Sequence, residues 1–145
     1  MDWSLEVVVV PVRDVDVAVT FYRDQVGFAL DHDTRIDAEQ RLVQLTPRGS
    51  GCSIVVGTLP NLQQMPPGSM HGLQLVVPNA REAHAELAER GVPVGEVQVI
   101  DPRDGGTLFA FADPDGNTWV VQEIKARAEQ PLLGGAAPRG DGASG

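Results

Sequence analysis

The sequence predicts an α+β protein built from two tandem βαβββ modules, whose mixed sheets curve into a cup with the helices on its outer face. Three observations carry this. The β-branched run Leu5-Glu-Val-Val-Val-Val-Pro-Val12 leads into an amphipathic helical stretch that stops at Gly27, and further strand-like runs follow. The same order restarts at Leu73–Val77, with a helical stretch closing at Gly91. A repeat of this length means two similar units that share a core and place a site between them. Finally, one helix covers only one face of each sheet, so alternate residues of the strands line a free, hollow face.

In the first module, Asp14 is suited to cap the helix, along which Val15, Ala18, Val19, Tyr22 and Val26 recur at helical spacing before the Gly27 stop. Strands are expected at Phe28–Asp33, Arg41–Thr46 and Cys52–Val56, joined by polar and glycine-rich turns. Residues 58–70, with Pro60, Pro66, Pro67 and Gly68, read as a connector. In the second module, Asn79 with Glu82 resembles a capping box, and Ala80, Ala83 and Leu87 mark the buried side of the helix. Strands near Val94–Ile100, Thr107–Ala112 and Thr118–Glu123 complete it, with Asp113-Pro-Asp-Gly116 as the tight turn between the last two. The expected organisation is one domain over 1–124: module one at 4–57, connector 58–70, module two at 71–124. Residues 125–145, rich in Gly, Ala, Pro and Arg without periodicity, are expected to be a disordered tail.

Composition narrows the function. A chain of 145 residues can bury a real core. Its net charge of −9 repels phosphate backbones and anionic membrane surfaces, so neither nucleic acid nor membrane is an expected partner. No apolar run approaches the roughly 20 residues of a membrane span, and no signal-peptide pattern precedes the first strand. The single Cys52 cannot form an internal disulfide, so a cytoplasmic home is expected.

The residues Val12-Arg-Asp-Val, Phe21-Tyr-Arg-Asp-Gln-Val-Gly27, Leu87-Ala-Glu-Arg-Gly-Val92 and Phe111-Ala-Asp-Pro-Asp-Gly-Asn117 together resemble the vicinal oxygen chelate superfamily. That superfamily includes glyoxalase I, extradiol dioxygenases and bleomycin-resistance proteins. The resemblance covers about residues 5–124, and its motifs speak for fold rather than chemistry. It implies a cup that serves as the functional surface and a homodimer. In the superfamily's enzymes it also implies a divalent metal held by His, Glu or Gln. Five residues before Val12 stands Val7, five before Val77 stands Gly72, and three after Asn117 stands Val120. The fourth position falls near Ser53 or Val55. Val and Gly side chains offer no donor to a hard cation.

Glu6, His71 and Glu123 flank those positions with the opposite parity. A one-residue register shift would bring them into the cup as a metal set. That shift would turn Leu73, Leu75, Trp119 and Val121 away from the helix they cover, so the metal-free register is favoured. His84 and His32 read as surface residues and Cys52 as a packed side chain rather than a nucleophile.

With Val7 inward, the expected ligand-binding set is Val7, Val9, Gln44, Ser53, Gly72, Gln74, Phe109, Val120 and Gln122, joined by Val76 and Thr118. This lining is apolar with a few neutral amides and hydroxyls, which suits a small, largely uncharged or aromatic molecule. The leading expectation is therefore a glyoxalase- or bleomycin-resistance-like protein that binds such a molecule without a metal and with no other cofactor. The alternative is a divalent-metal-dependent lyase, isomerase or dioxygenase using Glu6, His71 and Glu123. Catalytic residues, ligand identity and pathway are not legible in the sequence.

Overall fold

The computed structural model describes residues 1–129. Two four-stranded mixed sheets follow one another along the chain, each with a helix on one face. In the first, β1 (Val7–Val9), β2 (Ala29–Arg35), β3 (Arg41–Thr46) and β4 (Ser53–Gly57) take the spatial order β1-β4-β3-β2. In the second, β5 (Leu73–Val77), β6 (Gln98–Val99), β7 (Thr107–Ala112) and β8 (Thr118–Glu123) repeat that order as β5-β8-β7-β6. The first strand of each module pairs parallel to the last, and the other pairs are antiparallel. The sheets do not close, so each keeps one free face. The expected fold class is the observed one.

Local chemistry explains the elements. The helix α1 (Val15–Val19) begins where the Asp14 carboxylate accepts from the Val17 amide, at 3.2 Å. It widens into a π-helical stretch over Thr20–Val26, which ends at Gly27 in the left-handed conformation. The amides of Gly27 and Phe28 both donate to the Tyr22 carbonyl. α2 (Ala80–Glu89) is capped in the same way, the Asn79 side chain accepting from the Glu82 amide at 3.0 Å.

The apolar faces of both sheets and both helices meet in one core. Val43, Leu45, Ile54 and Val56 belong to it from the first sheet, and Phe109, Phe111, Trp119 and Val121 from the second. Its centre is aromatic. Tyr22 stacks on Phe28 and meets Trp119 edge-on, with centroids 5.6 and 5.8 Å apart. Arg41 ties β3 to α1 and β2 through Asp16 and Asp33, at 2.6 and 2.8 Å.

Where the end of β1 meets the β7–β8 turn, a buried polar network replaces apolar packing. The Tyr22 hydroxyl donates to Asp113 at 2.7 Å and accepts from the Trp119 indole at 2.9 Å. Asp113 also accepts from the Asn117 backbone and side-chain amides and from the Asp115 amide. Asn117 in turn donates to the Pro11 carbonyl and accepts from the Met70 amide. Burial, reinforced by the Asp113 charge, pushes the Tyr22 phenol far above its usual pKa. Gly68 pins the connector here. It is left-handed, and an added Cβ would lie 2.0 Å from the Asp115 carbonyl oxygen.

Several expected boundaries change. Leu5–Val12 is paired as a strand only over Val7–Val9, and Pro11, with no amide to donate, bars the ladder from continuing beyond its far end. Val94–Ile100 reduces to the two-residue β6 plus a lone bridge from Val94 to Phe111. At the start of the expected tail lies a helical turn, α3 (Ala126–Glu129); its first amide, from Ala126, and the Lys125 amide just before it donate to Asp104. The rest of that tail lies outside the described residues.

Candidate functional site

Burial settles which way the side chains point. Along β8, Trp119 and Val121 are buried in the core while Val120 and Gln122 lie on the free face. Pairing carries that assignment across the sheet, Gln74 lying opposite Val120 and Val76 opposite Gln122. In the first module, Val43, Leu45, Ile54 and Val56 are buried beneath α1. Gln44, Ser53 and Val55 therefore share the free face with Val7 and Val9, which pair with Ser53 and Val55.

The predicted lining falls into two groups, one on each sheet. On the first, Ser53 is the hub. It accepts from the Gln44 amide at 3.2 Å, and its hydroxyl lies 2.6 Å from that of Thr46. Thr46 also donates to Asp31. On the second, the Gln74 amide donates to Gln122, and Gln122 donates to the Gly105 carbonyl at 2.7 Å. Gly72 donates its amide to Thr118. The face is unevenly covered: Val7 is 41% exposed, whereas Ser53 retains only 5%.

Phe109 leaves the set. It lies on the helix face, 1% exposed, with the His84 ring edge-on at 5.1 Å. Its parity with Phe111 and Val121 puts it in the core rather than in the wall of a cup. Thr46 and Asp31 were missed by the sequence reading. Thr46 shares the parity of Gln44 and could have been included. Asp31 could not, because a β-bulge between Leu30 and His32 turns it, and a bulge leaves no mark in an alternation pattern.

The model of the Glyoxalase/Bleomycin resistance protein/Dioxygenase superfamily matches residues 4–121. The chain belongs to that superfamily. Among solved structures it is similar to TnmS3, an antibiotic binding protein from Streptomyces sp. CB03234. The identity is 33% and the TM-score 0.72, over 85% of this chain and 97% of that one. A glyoxalase/bleomycin resistance protein from the same Streptomyces strain is 35% identical, with a TM-score of 0.69 over 83% of this chain and 100% of that one. A superfamily member from Sphaerobacter thermophilus DSM 20745 is 27% identical, with a TM-score of 0.70 over 84% and 98%. No curated protein matches the chain.

The superfamily's enzymes imply a divalent metal on the free face, and the residues here do not fit one. Val7, Gly72 and Val120 carry no donor atoms, and Ser53 is engaged by Gln44 and Thr46. Nor is the displaced set assembled. The Glu123 carboxylate accepts from the Ala80 amide at 3.0 Å, at the start of α2, and His71 Nδ1 lies 3.4 Å from the Thr118 hydroxyl. Among the described residues, no three His, Cys, Asp or Glu side chains gather in a way that could hold a metal ion.

Proposed function

We propose that this superfamily member binds a small, largely uncharged or aromatic molecule on the free faces of its sheets, without a metal. The observation that carries the reading is the Gln74–Gln122 amide pair. It stands beside the apolar Val120, on the face where the superfamily's metal ligands are replaced by Val and Gly. Neutral amides on an apolar floor orient a ligand by a few hydrogen bonds and leave its affinity to burial. The antibiotic-binding description of TnmS3, one-third identical over most of both chains, supports a small-molecule role here.

The binding set in this reading is Val7, Val9, Gln44, Ser53, Gly72, Gln74, Val120 and Gln122. A homodimer, in which a second copy covers the exposed faces, completes the cup, and the cytoplasm is its site of action. No helix among the described residues is long and apolar enough to cross a membrane.

The test is a thermal-shift and calorimetric screen of neutral aromatic compounds, with and without a chelator. A compound should bind with unchanged affinity in the chelator, and Gln122→Leu should weaken it about tenfold, the loss of one or two good hydrogen bonds. Binding that vanishes in the chelator, or is indifferent to Gln122→Leu, would overturn the proposal.

A further inference from the structure

An opening lies at the end of β5, lined by neither Gln74 nor Gln122, although Val76 of the free face reaches it. It is a cleft of about 520 Å³ where the end of β5 and the start of α2 meet the β3–β4 turn and the Gly27 stop. Its size falls within the roughly 300–1,000 Å³ of small-molecule pockets. The two modules explain why it exists. Tyr22 stands eight residues after its cap Asp14, as Leu87 stands eight after Asn79. At the first junction the Tyr22 phenol reaches across to the β7–β8 turn and fills the gap. At the second, the apolar Leu87 lines the space together with Pro47 and Arg48 but brings no polar arm to bridge it, and the gap stays open.

The chemistry of the walls narrows the occupant. Val26, Phe28, Leu75, Val77 and Leu87 supply an apolar floor. Three arginines and three carboxylates line the cleft, in a chain whose net charge is −9. Most of these charges are already spent. Arg23 pairs with Asp24 at 2.8 Å. Arg90 pairs with Glu86 and donates to the Gln25 and Val26 carbonyls at the end of the π-helical stretch. Glu82 faces the Asn79 side chain at 3.2 Å, within the first turn of α2, where the helix dipole favours it. The helix end itself is not free to bind, since the Ala80 amide serves Glu123 and the Glu82 amide serves Asn79. Arg48 alone among the lining cations makes no salt bridge among the described residues.

We infer that this cleft binds a small amphipathic carboxylate, its apolar body on the Val26–Phe28–Leu87 floor and its anionic group on Arg48. None of the residues of the binding set proposed above lines this cleft, so the inference stands or falls independently of that reading.

The test compares 4-phenylbutyrate with its uncharged alcohol by titration calorimetry on the full chain. The acid should bind the wild type about tenfold more tightly than the alcohol, the size of one charge-assisted hydrogen bond. Arg48→Ala should erase that preference without abolishing alcohol binding. Glu82→Gln should strengthen the acid, by removing a like charge from the wall. Ala83→Phe, on the α2 side of the cleft, should abolish the Arg48-dependent binding of the acid, while Gln122→Leu should leave that binding unchanged. Equal binding of acid and alcohol, no binding of either, or full affinity in Arg48→Ala would each overturn the inference. Should Ala83→Phe fail to fold, the Arg48 and Glu82 variants decide it alone.

Discussion

The two junctions between the modules are built from matching places in the repeat, yet one is sealed by polar groups and the other is left open. At the first, Tyr22, Asp113, Asn117 and Trp119 satisfy one another in a buried network that reaches the Pro11 carbonyl. At the second, Leu87 and the short Pro47–Gly51 turn leave a cleft. The difference teaches that a duplicated fold needs only one firm seam. A fully satisfied network is rigid because each member's desolvation is offset only while all the others stay in place. The unsealed seam is then free to take up a ligand.

The comparison breaks most readily at its hub. Asp113→Ala removes the acceptor for the Tyr22 hydroxyl and for backbone and side-chain amides of the following turn. Leaving several donors buried without partners should cost about 3 kcal/mol, read as a lowered denaturation midpoint at unchanged slope. A loss well under 1 kcal/mol would mean that the seam is not held by this network.

Tyr22→Phe is the next test. It strands the Trp119 indole donor and should cost about 1–3 kcal/mol. It also carries a pH signature. The folded-state pKa of Tyr22 lies above the unfolded value, so its stabilisation is complete below the unfolded pKa and is lost as pH climbs toward the folded one. Wild-type stability should therefore fall above about pH 10, by about 1.4 kcal/mol per unit from this group, and Tyr22→Phe should lack that component. Tyr22 is the only tyrosine in the chain, so tyrosinate absorbance reports on it directly. The signal should appear only with unfolding. A normal phenol titration in the folded protein would contradict the buried network.

Much of this was legible in the sequence because alternation and helix spacing record burial. Trp119, Val121, Leu73 and Leu75 fixed the register of the second sheet, and Asp14 and Asn79 fixed both helix starts. Gln74 and Gln122, on the free face of that sheet, followed from parity alone. What stayed hidden depends on contacts between segments far apart in the chain. Nothing local says that Tyr22 meets Asp113, which lies 91 residues away, or that Glu123 turns to serve α2. Phe109 was misplaced because an aromatic on a strand suits a pocket wall as well as a core, and only its register with Val121 decides. The cleft at the second junction left no motif at all, since it arises from what Leu87 does not reach.

The helix caps are a control on the comparison, being alike where the junctions differ. Asp14→Ala and Asn79→Ala each remove one acceptor for a first-turn amide and should cost about 1 kcal/mol apiece. Equal losses by thermal denaturation would confine the asymmetry to the seams. A much larger loss at Asp14 would spread it to the helix starts.

The smallest effect should come from Arg48→Ala. Its exposed side chain makes no salt bridge among the described residues, so removing it should change stability by less than about 0.5 kcal/mol. That near-silence is informative beside the other variants. A residue that holds the fold together is costly to lose whether or not a ligand is present. Arg48 should matter only when an amphipathic acid is present, as a missing rise in melting temperature. A loss of several kcal/mol without ligand would show that the second seam, too, is held by charge, and the contrast between the junctions would dissolve.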